Sequence, residues 1–152
     1  MTINIELSLS YPEGFHEMDA DELLRFFSSA DNRQGIYDGE RHLLLSVAWT
    51  KPGFLNYLTD VKTILLRAES GMRRGLQGYR QTEMFRTVIA GKKGQGVRFA
   101  FTAQDTDISQ IGELTVFRAG DKFYAVTSVA REEGMEESIA VLHEITQSFS
   151  LQ

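Results

Sequence analysis

The sequence predicts an α+β fold, a mostly antiparallel β-sheet flanked by helices in an α/β/α sandwich, and three observations predict it. Four strand-like segments follow one another, at about 79–89, 95–103, 111–118 and 122–130, separated only by short turn-rich joins, so sequence neighbours pair antiparallel. Two long segments, 55–76 and 132–148, repeat apolar residues at spacings of three and four, so helices are at hand to cover the sheet. No internal repeat, low-complexity tract or linker interrupts the 152 residues, so one domain over 1–152 is expected. The expected order is β-α-β-α-β-β-β-β-α.

Each element has its own reason. Ile3, Ile5, Leu7, Leu9 and Tyr11 recur with a period of two, which predicts one half-buried strand. Pro and Gly in "YPEGF" end it. Asp19 is placed to cap the short helix "ADELLRFFSS", whose acidic first turn suits the helix dipole. "ADNRQGIYDGER" is polar and rich in turn formers and reads as a surface loop, whereas "LLLSVAWT" is apolar enough for a central strand. In the long second helix Leu58, Val61, Leu65, Ala68 and Met72 form the buried stripe, and in the last helix Met135, Ile139, Leu142, Ile145 and Phe149 do so.

The stretch "IAGKKGQGVRF" invites a phosphate-loop reading and fails it. A Walker A loop needs Ser or Thr after its Lys and a helix behind it, and a dinucleotide fingerprint also opens a helix. Here a strand follows, so the expectation is a hairpin turn whose glycines tolerate positive φ.

Composition narrows the function classes. A hydrophobic content of 42%, with ten Phe and five Tyr, is that of a folded chain. The absence of Cys excludes disulfides, thiolate metal sites and cysteine nucleophiles. The amino terminus has neither the basic region nor the apolar block of a signal peptide, and no window resembles a membrane span, so the chain reads as cytoplasmic with no membrane partner. His16, His42 and His143 share no ligand spacing, and no nucleophile elbow or S-x-x-K motif occurs, so no metal, cofactor or catalytic residue is expected. Asp105 and Asp107 lack the glycine and terminal glutamate of a calcium loop. The acids of "MDADE" and "REEGMEE" begin helices, where they offset the dipole without any catalytic role.

Charge supplies the one candidate surface. The net charge of −5 speaks against nucleic acid, yet residues 61–100 carry +7 and the remainder −12. Arg73 and Arg74 close a helix, which suits the dipole without any ligand. Arg86, Lys92, Lys93 and Arg98 join them as candidate partner-binding residues, with Arg86 and Arg98 expected on one face of neighbouring strands. Trp49, with Phe54 and Tyr57, is a further contact candidate, for which core packing is the plainer reading.

The phrases "LSYPEGFHEM", "ERHLLLSVAWT", "VIAGKKGQGVRFAF" and "DKFYAVTSVAREEGMEESIAVLHEITQSFSL" together resemble the PsbP-like α/β/α sandwich superfamily, across nearly the whole chain. That superfamily includes an extrinsic photosystem II subunit, a Ran-binding import factor and bacterial adaptors of secreted effectors. The resemblance implies a central antiparallel sheet without catalytic machinery and action by binding another protein. The bacterial adaptors imply in addition an apolar groove across a homodimer. The leading expectation is therefore a non-enzymatic protein-binding or adaptor module of bacterial type. The alternative is a small-molecule carrier or weak enzyme with a pocket between sheet and helix.

Overall fold

The computed structural model describes residues 1–51 and 58–152. In chain order these form β1 (Thr2–Ile3), β2 (Leu7–Ser8), β3 (His16–Glu17), α1 (Ala20–Phe26), β4 (Arg33–Asp38), β5 (Leu43–Trp49) and α2 (Val61–Gly75). There follow β6 (Gln77–Ile89), β7 (Lys92–Thr102), β8 (Ser109–Ala119), β9 (Lys122–Arg131), α3 (Met135–Gln147) and β10 (Ser150–Leu151). The main sheet has seven strands in the order β3-β4-β5-β9-β8-β7-β6, and every neighbouring pair is antiparallel. The fold is α+β, as the consecutive strands predict.

Strand alternation gives the sheet two apolar faces, and each has its own cover. Leu45, Val47, Phe117, Tyr124 and Val126 point to one side, where Leu142, Ile145 and Phe149 pack with Ile3, Leu7 and Leu9 of the amino-terminal segment. Val97, Phe99, Leu114 and Val116 point to the other, beneath Leu65 of α2, with Val61, Ala68 and Met72 beside it. A smaller group, Met18, Leu23 and Leu44, seats α1 on the same side. Burying each such side chain contributes about 1.5–3 kcal/mol, so these clusters, and not helix propensity, hold the helices in place.

Both N-terminal helices begin behind an aspartate cap, α1 at the Asp19 its sequence suggests and α2 later than expected. Asp19 Oδ1 accepts from the Glu22 N–H at 2.9 Å, and Asp60 Oδ1 accepts from the Thr63 N–H at 2.8 Å. Each cap satisfies an otherwise unpaired donor, worth about 1 kcal/mol. Asp60 also fixes where α2 starts: Leu58, expected in the apolar stripe, lies ahead of the cap and is exposed. The expected helix residues 55–57 lie outside the described residues. At the far end, α3 begins at Met135 behind Gly134, whose φ of 73° is left-handed, so Glu132 and Glu133 precede the helix.

Three other expectations are corrected. The segment 3–11 is not one strand. The Glu6 N–H donates to the Ile3 carbonyl, Asn4 and Ile5 take φ of 49° and 55°, and the chain folds back as the β1–β2 hairpin, which β10 joins in a separate three-stranded sheet. Ile3, Leu7 and Leu9 are buried as their period predicts, but Ile5 at the turn is 85% exposed. The second correction is "ADNRQGIYDGER", which contains the six-residue strand β4. Its polar ends are satisfied by neighbours: Arg33 Nη1 donates to Ser46 Oγ at 2.7 Å, and the buried Asp38 carboxylate accepts from the Arg41 Nε at 2.6 Å.

The third concerns the glycines of "AGKKGQG". The turn is only Ala90–Gly91, with φ of 52° and 76°, and Lys92 through Gly96 already belong to β7. Gly91 has the positive φ expected of it. Gly96 is there for a different reason: the Phe85 ring lies across it, and a Cβ would come within 2.4 Å of that ring. On the opposite face Phe99 covers Gly112 in the same way, at 2.4 Å.

Candidate functional site

The β6–β7 hairpin is one margin of the sheet, and the basic candidates divide there by partner. In the register Glu83 stands opposite Arg98, and Arg86 opposite Gln95. Directly opposed residues share a face, so Arg86 and Arg98 lie on opposite faces, which corrects the expectation that they act together. Arg98 faces α3. Its Nε and Nη2 donate to Glu113 Oε2 at 3.0 and 2.8 Å, and His143 Nε2 of α3 lies 2.7 Å from Glu113 Oε1. Arg98 is thus a link between β7, β8 and α3.

Arg73 is likewise occupied. Glu69, buried at 4% exposure on α2, accepts the Tyr79 hydroxyl at 2.7 Å and the Arg73 Nη2 at 3.3 Å. The Arg73 guanidinium sits 5.0 Å from the Tyr79 ring centre. Burial first, and then the Glu69 carboxylate, push the Tyr79 hydroxyl well above its ordinary pKa. This triad ties α2 to the start of β6. Arg74 donates to Ser70 Oγ at 3.2 Å. Trp49 is half-buried against the main core, paired with Tyr124 across β5 and β9. Phe54 and Tyr57 lie outside the described residues.

Arg80, Arg86, Lys92 and Lys93 remain. All four are exposed and none makes an ion pair with another described residue. Because Val88 pairs with Lys93 and Met84 with Val97, Met84, Arg86, Val88 and Lys93 share the α2 side of the sheet. Met84 is 46% and Val88 65% exposed there, so cations and apolar side chains alternate on one open strip. The sequence marked three of these four cations, since charge clustering is visible without a fold. It did not mark Met84 or Val88, because the exposure of an apolar strand residue depends on what packs over it.

A fourth polar group lies on β9, the central strand of the sheet. Glu6 accepts from Lys122 Nζ and, at 2.8 Å, from the Tyr124 hydroxyl. The Lys122 ammonium and then the Tyr124 hydroxyl hold the Glu6 carboxyl below its ordinary range, and Glu6 in turn raises Lys122. It anchors the amino-terminal hairpin to β9.

Between α3 and the sheet, Ile111, Ala130, Ile139 and Leu142 close together without room for a ligand. An open hollow of about 470 Å³ lies beside Ile108, Arg131, Glu132 and Glu133, at the surface and away from the sheet–helix interface. Among the described residues no three His, Asp or Glu side chains are gathered to hold a metal, and no helix is long and apolar enough to cross a membrane.

No family model matches the sequence, and no curated protein matches it. Solved structures do share its fold. A Mycobacterium tuberculosis protein, LpqN, described as involved in cell envelope biogenesis, superposes with a TM-score of 0.66 at 11% identity, over 96% of this chain and 83% of its own. Cyanobacterial PsbP from Synechocystis sp. PCC 6803 does so at 0.63 and 13%, over 97% and 93% of the two chains. The Ran-binding protein Mog1p of Saccharomyces cerevisiae follows at 0.60 and 14%, over 97% and 90%.

Proposed function

We propose that this chain, which has the PsbP/Mog1-like fold, is a non-enzymatic protein-binding or adaptor module that receives a protein partner on its β6–β7 margin. The observation that carries this reading is the strip of Met84, Arg86, Val88 and Lys93. Elsewhere cations such as Arg41, Arg98 and Lys122 are committed to carboxylates within the chain. Among the described residues no carboxylate pairs with Arg86 or Lys93, and exposed apolar side chains rimmed by charge are the usual form of a contact surface. That Mog1p is a Ran-binding protein adds support by fold analogy alone. The proposal extends to a cytoplasmic setting, which cell fractionation checks.

The test is affinity capture from the native cell's lysate with the parent chain and with the Arg86→Glu, Lys93→Glu double variant. A stoichiometric protein held at low salt, weakened at moderate salt and lost by the variant is the expected result, because exposed charges steer association and are screened. Equal retention by parent and variant removes the basic margin from the proposal.

A further inference from the structure

The two edges of the main sheet are built differently. At one, β3 contributes two residues; at the other, β6 runs for thirteen. Every second amide and carbonyl of an edge strand points away from its neighbour and can template another strand. In its first half β6 is irregular, with register shifts between Gln77 and Arg80 and between Gln81 and Glu83. From Glu83 to Ile89 each residue pairs in turn with β7, from Arg98 to Lys92, without a break. That run holds no proline and no bulge, two of the devices that blunt natural edges, and its charges are Glu83 and Arg86 alone.

The side chains of this run state what chemistry fits beside it. On the face shared with α2 they read Met84, Arg86, Val88: apolar, cation, apolar. A strand added alongside places its same-face residues directly opposite these, so the matching pattern is apolar, acid, apolar at every second position. Lys93, one strand further in, reinforces the preference for an acid. A second copy of this chain does not supply it. In antiparallel self-pairing about a twofold axis normal to the sheet, same-face residues meet. Glu83, the only acid on β6, lies on the face opposite Arg86. Self-pairing therefore sets Arg86 against Met84, Val88 or another Arg86.

We infer that β6 between Glu83 and Ile89 is a strand-addition site for an extended acidic segment of a partner protein, in which one Asp or Glu sits between two apolar residues at alternate positions. This rests on the protein-binding reading above and specifies its geometry: main-chain hydrogen bonds supply affinity, and Arg86 with its apolar flanks supplies selectivity.

The probe is a short, acetylated and amidated peptide of alternating Thr and Val with one central Glu, followed by amide hydrogen exchange and by NMR titration of the full chain. The expected result is slowed exchange confined to β6 from Glu83 to Ile89, with weaker binding as salt rises. Arg86→Glu, or a peptide with Lys for Glu, weakens binding by up to about fivefold, the range of a cross-strand ion pair. A peptide N-methylated at alternate amides does not bind. Unchanged binding after N-methylation, or protection elsewhere on the chain, overturns the inference, as does self-association through β6 that displaces the peptide. Should the peptide fail while lysate capture still responds to Arg86→Glu and Lys93→Glu, strand addition falls and the protein-binding reading stands; failure of both removes both.

Discussion

The two margins of one sheet treat their polar groups in opposite ways. At the β3–β4 margin the strands are short, and the charges of β4 turn inward to the fold. Arg33 stacks on the Phe27 ring at 3.8 Å and donates to Ser46, while Asp38 accepts from the Arg41 side chain and from the Glu40 and Arg41 amides. At the β6 margin the strand is long, and Arg80 and Arg86 point into solvent with no ion partner among the described residues. Removing a polar group at the first margin strips a buried neighbour of its partner; removing one at the second leaves nothing unsatisfied. Stability is therefore predicted to concentrate in the first set of charges and binding in the second.

What holds β6 to the molecule is its inner surface, and the largest expected effect lies there. Phe99, 1% exposed on β7, stacks on Tyr79 of β6 at 5.3 Å between ring centres and fills the space over Gly112. Phe99→Ala should cost about 3–5 kcal/mol in urea unfolding, since a large cavity opens between α2 and the sheet. A loss below about 1 kcal/mol would show that α2 settles into the space and that the margin is not built on this contact.

The β4 margin is broken most directly at Asp38. Asp38→Asn keeps the shape but loses a charge-assisted bond to Arg41, for an expected loss of about 1–3 kcal/mol. Its pH dependence has a definite sign. Burial raises the Asp38 carboxyl, but the Arg41 amide and guanidinium outweigh it and leave the folded value below the ordinary 3.8. A carboxyl depressed on folding contributes stability above its unfolded value, lost as pH falls through the folded one. Glu6, held below 4.5 by Lys122 and then Tyr124, adds the same slope. Unfolding midpoints of the parent should thus fall with pH below about 4, and less steeply in Asp38→Asn.

These regions differ also in how readable they were. The consecutive strands β6–β9 announced themselves by alternation and by tight joins, and α3 by its spacing of apolar residues. β4 did not, because Gly35 and its polar neighbours have low strand propensity and become a strand only through pairing with the apolar β5. The hairpin was right in kind and wrong in length. A longer turn would have left the register open, whereas the two-residue turn Ala90–Gly91 pairs even-numbered with odd-numbered positions. Two even-numbered arginines, Arg86 and Arg98, then cannot share a face. The buried Glu69 was invisible for a similar reason: its partner Tyr79 is ten positions away on another element.

A smaller effect, of opposite sign, is expected at the amino-terminal hairpin. Asn4–Ile5 occupies a turn in which both residues have positive φ, a conformation suited to Asn-Gly and unfavourable for a β-branched side chain by about 1–2 kcal/mol. Ile5 is exposed and returns little by packing. Ile5→Gly should stabilise the protein by up to about 1 kcal/mol in thermal or urea unfolding, the relief of strain being offset by the greater freedom of Gly when unfolded. A destabilised variant would mean that the Ile5 side chain contributes packing that its exposure does not show.

The smallest change in stability is predicted where the largest change in binding is. Arg86→Glu touches no buried group and breaks no ion pair with a described residue, so its effect on unfolding should stay within about 0.5 kcal/mol. Arg98→Glu, an identical exchange one strand away, should behave differently, because it sets a carboxylate beside Glu113 and Glu83 and removes the bond that positions Glu113 against His143. Measuring both variants by unfolding and by partner capture separates the two roles. If Arg86→Glu destabilises as much as Arg98→Glu, then β6 is held by its charges after all, and the contrast between the two margins fails. If Arg86→Glu folds as the parent does but no longer retains its partner, the open edge is where this molecule meets another.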